Sequence, residues 1–177
     1  MYSNAMERLL VMQVRKLEIG AGCEQGAQKA GYEHNELNPG PDVEFVGPAQ
    51  ELEFPDNTWD EIFGTGIFEH FTYEEAVLFL HKAIRWLKPG GVLDINAPDI
   101  SKWIVHLAKQ DRDPQWIAAC FHGWQRFPDD EHKSWWSRDM MENVLTAVGF
   151  VSLDVYQLWA YQGPDDWHIC IKGYKPD

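Results

Sequence analysis

The stretch Lys16-Leu17-Glu18-Ile19-Gly20-Ala21-Gly22 constrains this chain most, because an apolar run closing on an acid and then on two spaced glycines admits few structures. Such a run reads as a buried parallel strand, and the glycines read as a tight turn that leaves backbone open to a ligand. A turn with no ligand is the plainer alternative for a bare Gly-x-Gly. A dinucleotide fingerprint needs a third glycine three places after the second, yet Gln25 stands there and Gly26 comes one place late. Nicotinamide and flavin cofactors are therefore disfavoured.

Turn residues and apolar periods punctuate the rest of the chain. A short helix is expected over Cys23–Ala30, then a strand over Tyr32–Glu36 that again ends on an acid. Asn38-Pro39-Gly40-Pro41 is a turn, Val43–Val46 a third strand, and Leu52–Asn57 a surface loop. Trp59–Phe63 is the next strand, closed by Gly64-Thr65-Gly66. From Tyr73 to Leu87 the apolar residues follow a helical period, with Thr72 and Glu75 placed as a capping box. Lys88-Pro89-Gly90-Gly91 stops that helix, and Val92–Asn96 returns as a strand closed by Pro98-Asp99. Beyond it come helical, aromatic segments around Trp103 and Trp116, a polar loop over Phe127–Ser134, and a helix over Ser137–Val148. Val151–Trp159 and Trp167–Tyr174 read as an antiparallel pair joined by a Gln162-Gly163-Pro164-Asp165 turn. Strands alternating with helices across short turns imply a mostly parallel sheet with ligands at the strands' carboxyl ends.

A chain of 177 residues suffices for one domain, expected over 6–177, with Ser3-Asn4-Ala5 ahead of Met6 reading as an expression-tag remnant. No apolar stretch approaches the roughly 20 residues that span a bilayer. Cys23, Cys120 and Cys170 are odd in number and far apart, which suits free thiols in a cytoplasmic setting. The net charge of −13 repels phosphate backbones and anionic lipid, so neither nucleic acid nor membrane is an expected partner.

In order and spacing, Glu18-Ile19-Gly20-Ala21-Gly22, Glu36, Leu52–Asp60, Glu69-His70 and Leu87–Gly91 resemble the small single-domain class I methyltransferases dependent on S-adenosylmethionine. The resemblance runs from about Leu17 to Asp99 and continues more faintly to the end. It implies an α/β, Rossmann-like sandwich with a mostly parallel central sheet and an antiparallel C-terminal strand pair. It also implies that S-adenosylmethionine lies against Gly20, Ala21 and Gly22, with Glu36 and Leu37 at the ribose and Glu18 orienting water or the ammonium group. Ala49, Gln50 and Glu51 would flank the adenine, and Gly64 and Thr65 would close the site from the next strand. The family commonly carries an acid where this chain has Pro48, so backbone groups of Ala49 and Gln50 would have to serve. Family members also usually carry helices before the first strand, and here that strand starts near Arg15, so the site is more open or a second copy of the chain covers it as a homodimer.

The acceptor is expected to be a small molecule or a glycan, with neutral or cationic acceptors favoured by the acidic surface. Seven of the nine tryptophans lie after residue 100, where aromatic faces can stack on rings or sugars or simply pack a core or a dimer contact. The segment Phe121–Trp136 follows the fifth strand, where such enzymes build the acceptor wall, and holds His122, Trp124, Asp129, Asp130, Glu131, His132 and Trp135. A solvated polar loop is the plainer alternative. His132 is the candidate base, with His70 its rival on the other side of the pocket. No spacing matches a common metal-ligand motif, for His122 and His132 stand in none. Two other functions stay open: a binding protein of this fold without turnover, and an α/β enzyme using a different nucleotide.

Overall fold

The computed structural model describes residues 14–22, 28–126, 128–156 and 168–177. Four strands run parallel in the first half: β1 (Lys16–Ile19), β2 (Glu33–Glu36), β3 (Phe45–Val46) and β4 (Trp59–Gly64). Helix α1 (Tyr73–Trp86) leads into β5 (Leu87–Pro98), then α2 (Ile100–Lys109), α3 (Pro114–His122) and α4 (Arg138–Val148) follow. Strands β6 (Val151–Tyr156) and β7 (His168–Tyr174) end the chain. The sheet order is β3-β2-β1-β4-β5-β7-β6, with β7 antiparallel to both neighbours. The expected mixed sheet is the observed one, and β7 is the inserted antiparallel strand.

Register follows burial. Leu17 lies opposite Ile62, Ile62 opposite Leu93, and Ile95 opposite Ile171, so fully buried branched side chains meet across four strands. Helix α1 starts on the predicted capping box, Thr72 Oγ1 accepting from the Glu75 N–H while Glu75 Oε2 accepts from the Thr72 N–H. It buries Ala76, Phe79, Leu80, Ala83 and Trp86, and packs against α4. Burying one such large side chain is worth about 1.5–3 kcal/mol, so this face fixes the helix on the sheet.

Two expectations need adjustment. Lys88-Pro89-Gly90-Gly91 does more than stop α1: it is the irregular beginning of β5, where Gly90 takes φ +71° and the pairing with β4 slips between Trp59 and Glu61. The Gly90 N–H donates to the Lys175 carbonyl, and the Lys175 N–H donates to that of Gly91. Val43 and Glu44 lie outside the third strand, which keeps only Phe45 and Val46. Most of the expected Cys23–Ala30 helix and the Gln162–Asp165 turn fall outside the described residues. Among the described residues, no helix is long and apolar enough to cross a membrane.

Candidate functional site

The carboxyl ends of β1, β2 and β4 converge on a cleft holding about 540 Å³ of empty space, part of it continuous with solvent. Gly20 sits at its edge with φ +64°, and a Cβ there would fall 2.8 Å from Ile67 Cδ1. Only glycine satisfies both constraints. Behind it the turn is tied to β2: the Ala21 N–H donates to the Asn35 carbonyl at 3.0 Å and the Gly22 N–H to Glu36 Oε2 at 2.8 Å. Glu36 Oε1 accepts from the Leu37 N–H at 2.8 Å. Each carboxylate oxygen thereby uses one lone pair and keeps another, so Glu36 is positioned and still able to accept.

The expected cofactor residues divide. Gly20, Glu36, Leu37, Ala49 and Gln50 line the cleft. Ala21 and Gly22 hold the turn through the bonds just given. Glu18 is directed elsewhere: buried, it accepts from the Lys29 N–H at 2.6 Å and lies 3.6 Å from His34 Nε2, so it fastens β1 to the β2 side. Burial pushes its carboxyl up. Gly64 is required by packing, since a Cβ would fall 2.7 Å from Ile19 Cγ1. The Thr65 hydroxyl accepts from Asn96 Nδ2 at 2.7 Å, fixing the loop after β4 to β5. Glu51 is exposed and closes a short 3-10 turn over Ala49–Glu51, its N–H donating to the Pro48 carbonyl at 2.9 Å. The Gln50 carbonyl already accepts from Lys82 Nζ at 2.9 Å.

Sequence reasoning missed Asn35, Gly47, Ile67, Phe71 and Lys133, which also line the cleft, together with Asp129, which was expected at the acceptor wall. Asn35 left a signal, being an amide inside a strand beside Glu36. Its Nδ2 donates to the Phe45 and Gly47 carbonyls at 2.9 and 2.8 Å, which holds the segment after β3 against the cleft. The others come from separate parts of the chain and left none.

A second cavity of about 900 Å³, also open to solvent, lies beside the first between the end of β5, α2, α3 and the segment after α3. Trp103, Trp116 and Trp124 line it, the first two in edge contact at 5.0 Å between ring centroids. Its floor carries Glu69, His70 and His132, and His70 borders both cavities. His70 and His132 were expected on opposite sides of the pocket; instead their rings meet edge to face at 5.1 Å. The reason lies in the backbone, for the Lys133 and Ser134 N–H groups both donate to the Glu69 carbonyl, at 2.9 and 3.2 Å.

His70 Nδ1 bonds the Glu131 carbonyl at 3.0 Å and His132 Nδ1 bonds the Cys120 carbonyl at 2.8 Å. Carbonyls only accept, so in each neutral ring Nδ1 carries the proton and Nε2 the lone pair. Burial lowers the pKa of both, against the opposing pull of backbone carbonyls, that of Asp129 at His70 included, and of Asp130. Burial drives the Glu69 carboxyl the other way, up to about 7, and its Oε2 has no hydrogen-bond partner.

Comparison with known proteins fits this geometry. A family model described as a methyltransferase domain matches residues 2–95. No curated protein matches the chain by sequence. Among solved structures, an S-adenosylmethionine-dependent methyltransferase from Thermotoga maritima superposes with a TM-score of 0.61 at 17% identity, over 94% of this chain and 84% of that one. Phosphoethanolamine N-methyltransferase 2 of Haemonchus contortus, in complex with S-adenosylmethionine, gives 0.62 at 16% identity over 93% of this chain, which spans only 49% of that enzyme. The 1,6-didemethyltoxoflavin-N1-methyltransferase of Burkholderia thailandensis gives 0.60 at 15% identity, covering 94% and 73%. With more than half its length matched by the family model and this sheet order, the chain belongs to the methyltransferase-domain family, in the class I fold that uses S-adenosylmethionine.

Proposed function

We propose that the chain transfers a methyl group from S-adenosylmethionine to a small-molecule or glycan acceptor. The observation that carries this reading is the shared wall: the cleft at the strand ends and the tryptophan-lined cavity both border His70. When bound, the cofactor supplies an activated sulfonium methyl group that an acceptor lone pair displaces in line.

The residues present fit that cofactor. Gly20 gives backbone access, and Glu36 keeps lone pairs for the ribose hydroxyls while its bonds to Gly22 and Leu37 hold it in place. The tryptophans supply flat apolar faces for a ring or sugar, and they shed water from the reacting atoms. The net charge of −13 favours acceptors that are neutral or cationic. His132 is the base we assign, its Nε2 lone pair facing a proton-bearing acceptor, with His70 edge-on against it. The Haemonchus and Burkholderia enzymes act on small molecules, which supports the acceptor class.

Calorimetry with S-adenosylhomocysteine, followed by methyl transfer from labelled cofactor into a metabolite extract, tests this reading. Saturable binding and a labelled small product are expected. Binding without any labelled product refutes turnover, and no binding refutes the cofactor assignment.

A further inference from the structure

We propose that Glu69, His70 and His132 bind a first-row divalent cation of the zinc type, with open coordination toward the tryptophan-lined cavity. One ligand atom from each side chain lies within 4.8 Å of the other two. Tetrahedral bonds of about 2.0–2.1 Å place ligands roughly 3.3 Å apart, so the three have to draw together by about 1–1.5 Å.

Three observations point to a cation. Glu69 is buried, its Oε2 has no partner, and it borders the cavity. A carboxylate left alone in that position is costly, and a cation is the partner that removes the cost. Both imidazoles donate Nδ1–H to a backbone carbonyl, an arrangement that orients histidine ligands and frees Nε2 for the metal. The site is also pre-built, because the Lys133 and Ser134 N–H bonds to the Glu69 carbonyl keep His132 beside it in the absence of any ion. Two nitrogens and one oxygen match zinc or cobalt better than magnesium or calcium, which prefer all-oxygen shells.

Three protein ligands leave at least one position for an acceptor oxygen or for water, as in zinc sites that act on bound molecules. This role rests on the methyl-transfer reading. Where that reading has the acceptor proton pass to His132, the cation ionises the bound hydroxyl and the proton leaves to solvent, while both rings serve as ligands.

The test uses the untagged full chain, stripped with a chelator, and cobalt(II) and zinc(II) alone as probes. Titration is expected to give one equivalent of cobalt with a visible d–d absorption band, displaced by zinc, and zinc is expected to raise the melting temperature. His132→Ala and Glu69→Gln are each expected to weaken cobalt binding about 100-fold or more, while His81→Ala on the exposed side of α1 leaves it unchanged. Circular dichroism and S-adenosylhomocysteine calorimetry on each variant report folding separately. No saturable cobalt binding, or equal binding in folded His132→Ala, overturns the site. Intact S-adenosylhomocysteine affinity in that event leaves the cofactor reading standing.

Discussion

Glu36→Ala separates a ribose-binding acid from one that merely props a turn. In the folded protein the two carboxylate oxygens accept from the Gly22 and Leu37 N–H groups, each at 2.8 Å. Removing the carboxylate therefore has two consequences that must be measured apart. The first falls on the free protein. Leu37 is exposed and Gly22 half-buried, so water takes over much of the lost bonding, and the stability cost is about 1 kcal/mol.

The second falls on the ligand. Hydrogen bonds to a charged acceptor are worth about 1.5–3 kcal/mol, which corresponds to roughly 10- to 150-fold in affinity. Calorimetry with S-adenosylhomocysteine reads the second quantity, and urea unfolding without ligand reads the first. An affinity within about twofold of wild type, together with the expected stability loss, would confine Glu36 to holding the turn and refute the ribose role.

Gly20→Val is expected to abolish S-adenosylhomocysteine binding, because the new side chain needs φ near +64° and meets Ile67 at 2.8 Å, pushing that residue toward the cleft. The strain also destabilises by about 1–3 kcal/mol, so circular dichroism accompanies the calorimetry, and unaltered affinity in a folded variant sinks the cleft assignment. Glu61 supplies a pH test: burial pushes its carboxyl up, but the bonds from Lys16 and Tyr32 outweigh that and hold it below the ordinary value. A depressed folded pKa stabilises above the unfolded value of about 4.3 and is lost as pH falls through the folded one. Glu61→Gln is thus expected to flatten the fall in urea midpoint below about pH 4.5, and an unchanged slope counts against the assignment.

The fold was readable because its signals are local. The Leu17–Gly22 run and the Thr72/Glu75 box each act within a few residues, and the strand and helix they mark appear as expected. Lys88–Gly91 was harder, since the same residues that end a helix also open β5 with a bulge, and only pairing with Lys175 distinguishes the two. The cleft at the strand ends was half readable for a similar reason. Backbone shape at Gly20 and the acid ending β2 are written in sequence, whereas the direction of Glu18 depends on its partners Lys29 and His34.

The acceptor side shows where such reading stops. His70 and His132 were both visible as candidates, but their separation in sequence hides that they touch, and no ligand motif spans such a gap. What joins them is a pair of backbone bonds from Lys133 and Ser134 to the Glu69 carbonyl, and backbone hydrogen bonds between distant loops leave no residue pattern. The same bonds explain why Glu69 was undervalued. Beside His70 in sequence it reads as a polar residue ahead of a helix, yet the returning segment buries it and takes away its water. An acid stripped of water and left without a partner is a tertiary fact, and that fact, not the spacing of histidines, singles out the three side chains as the proposed ligands.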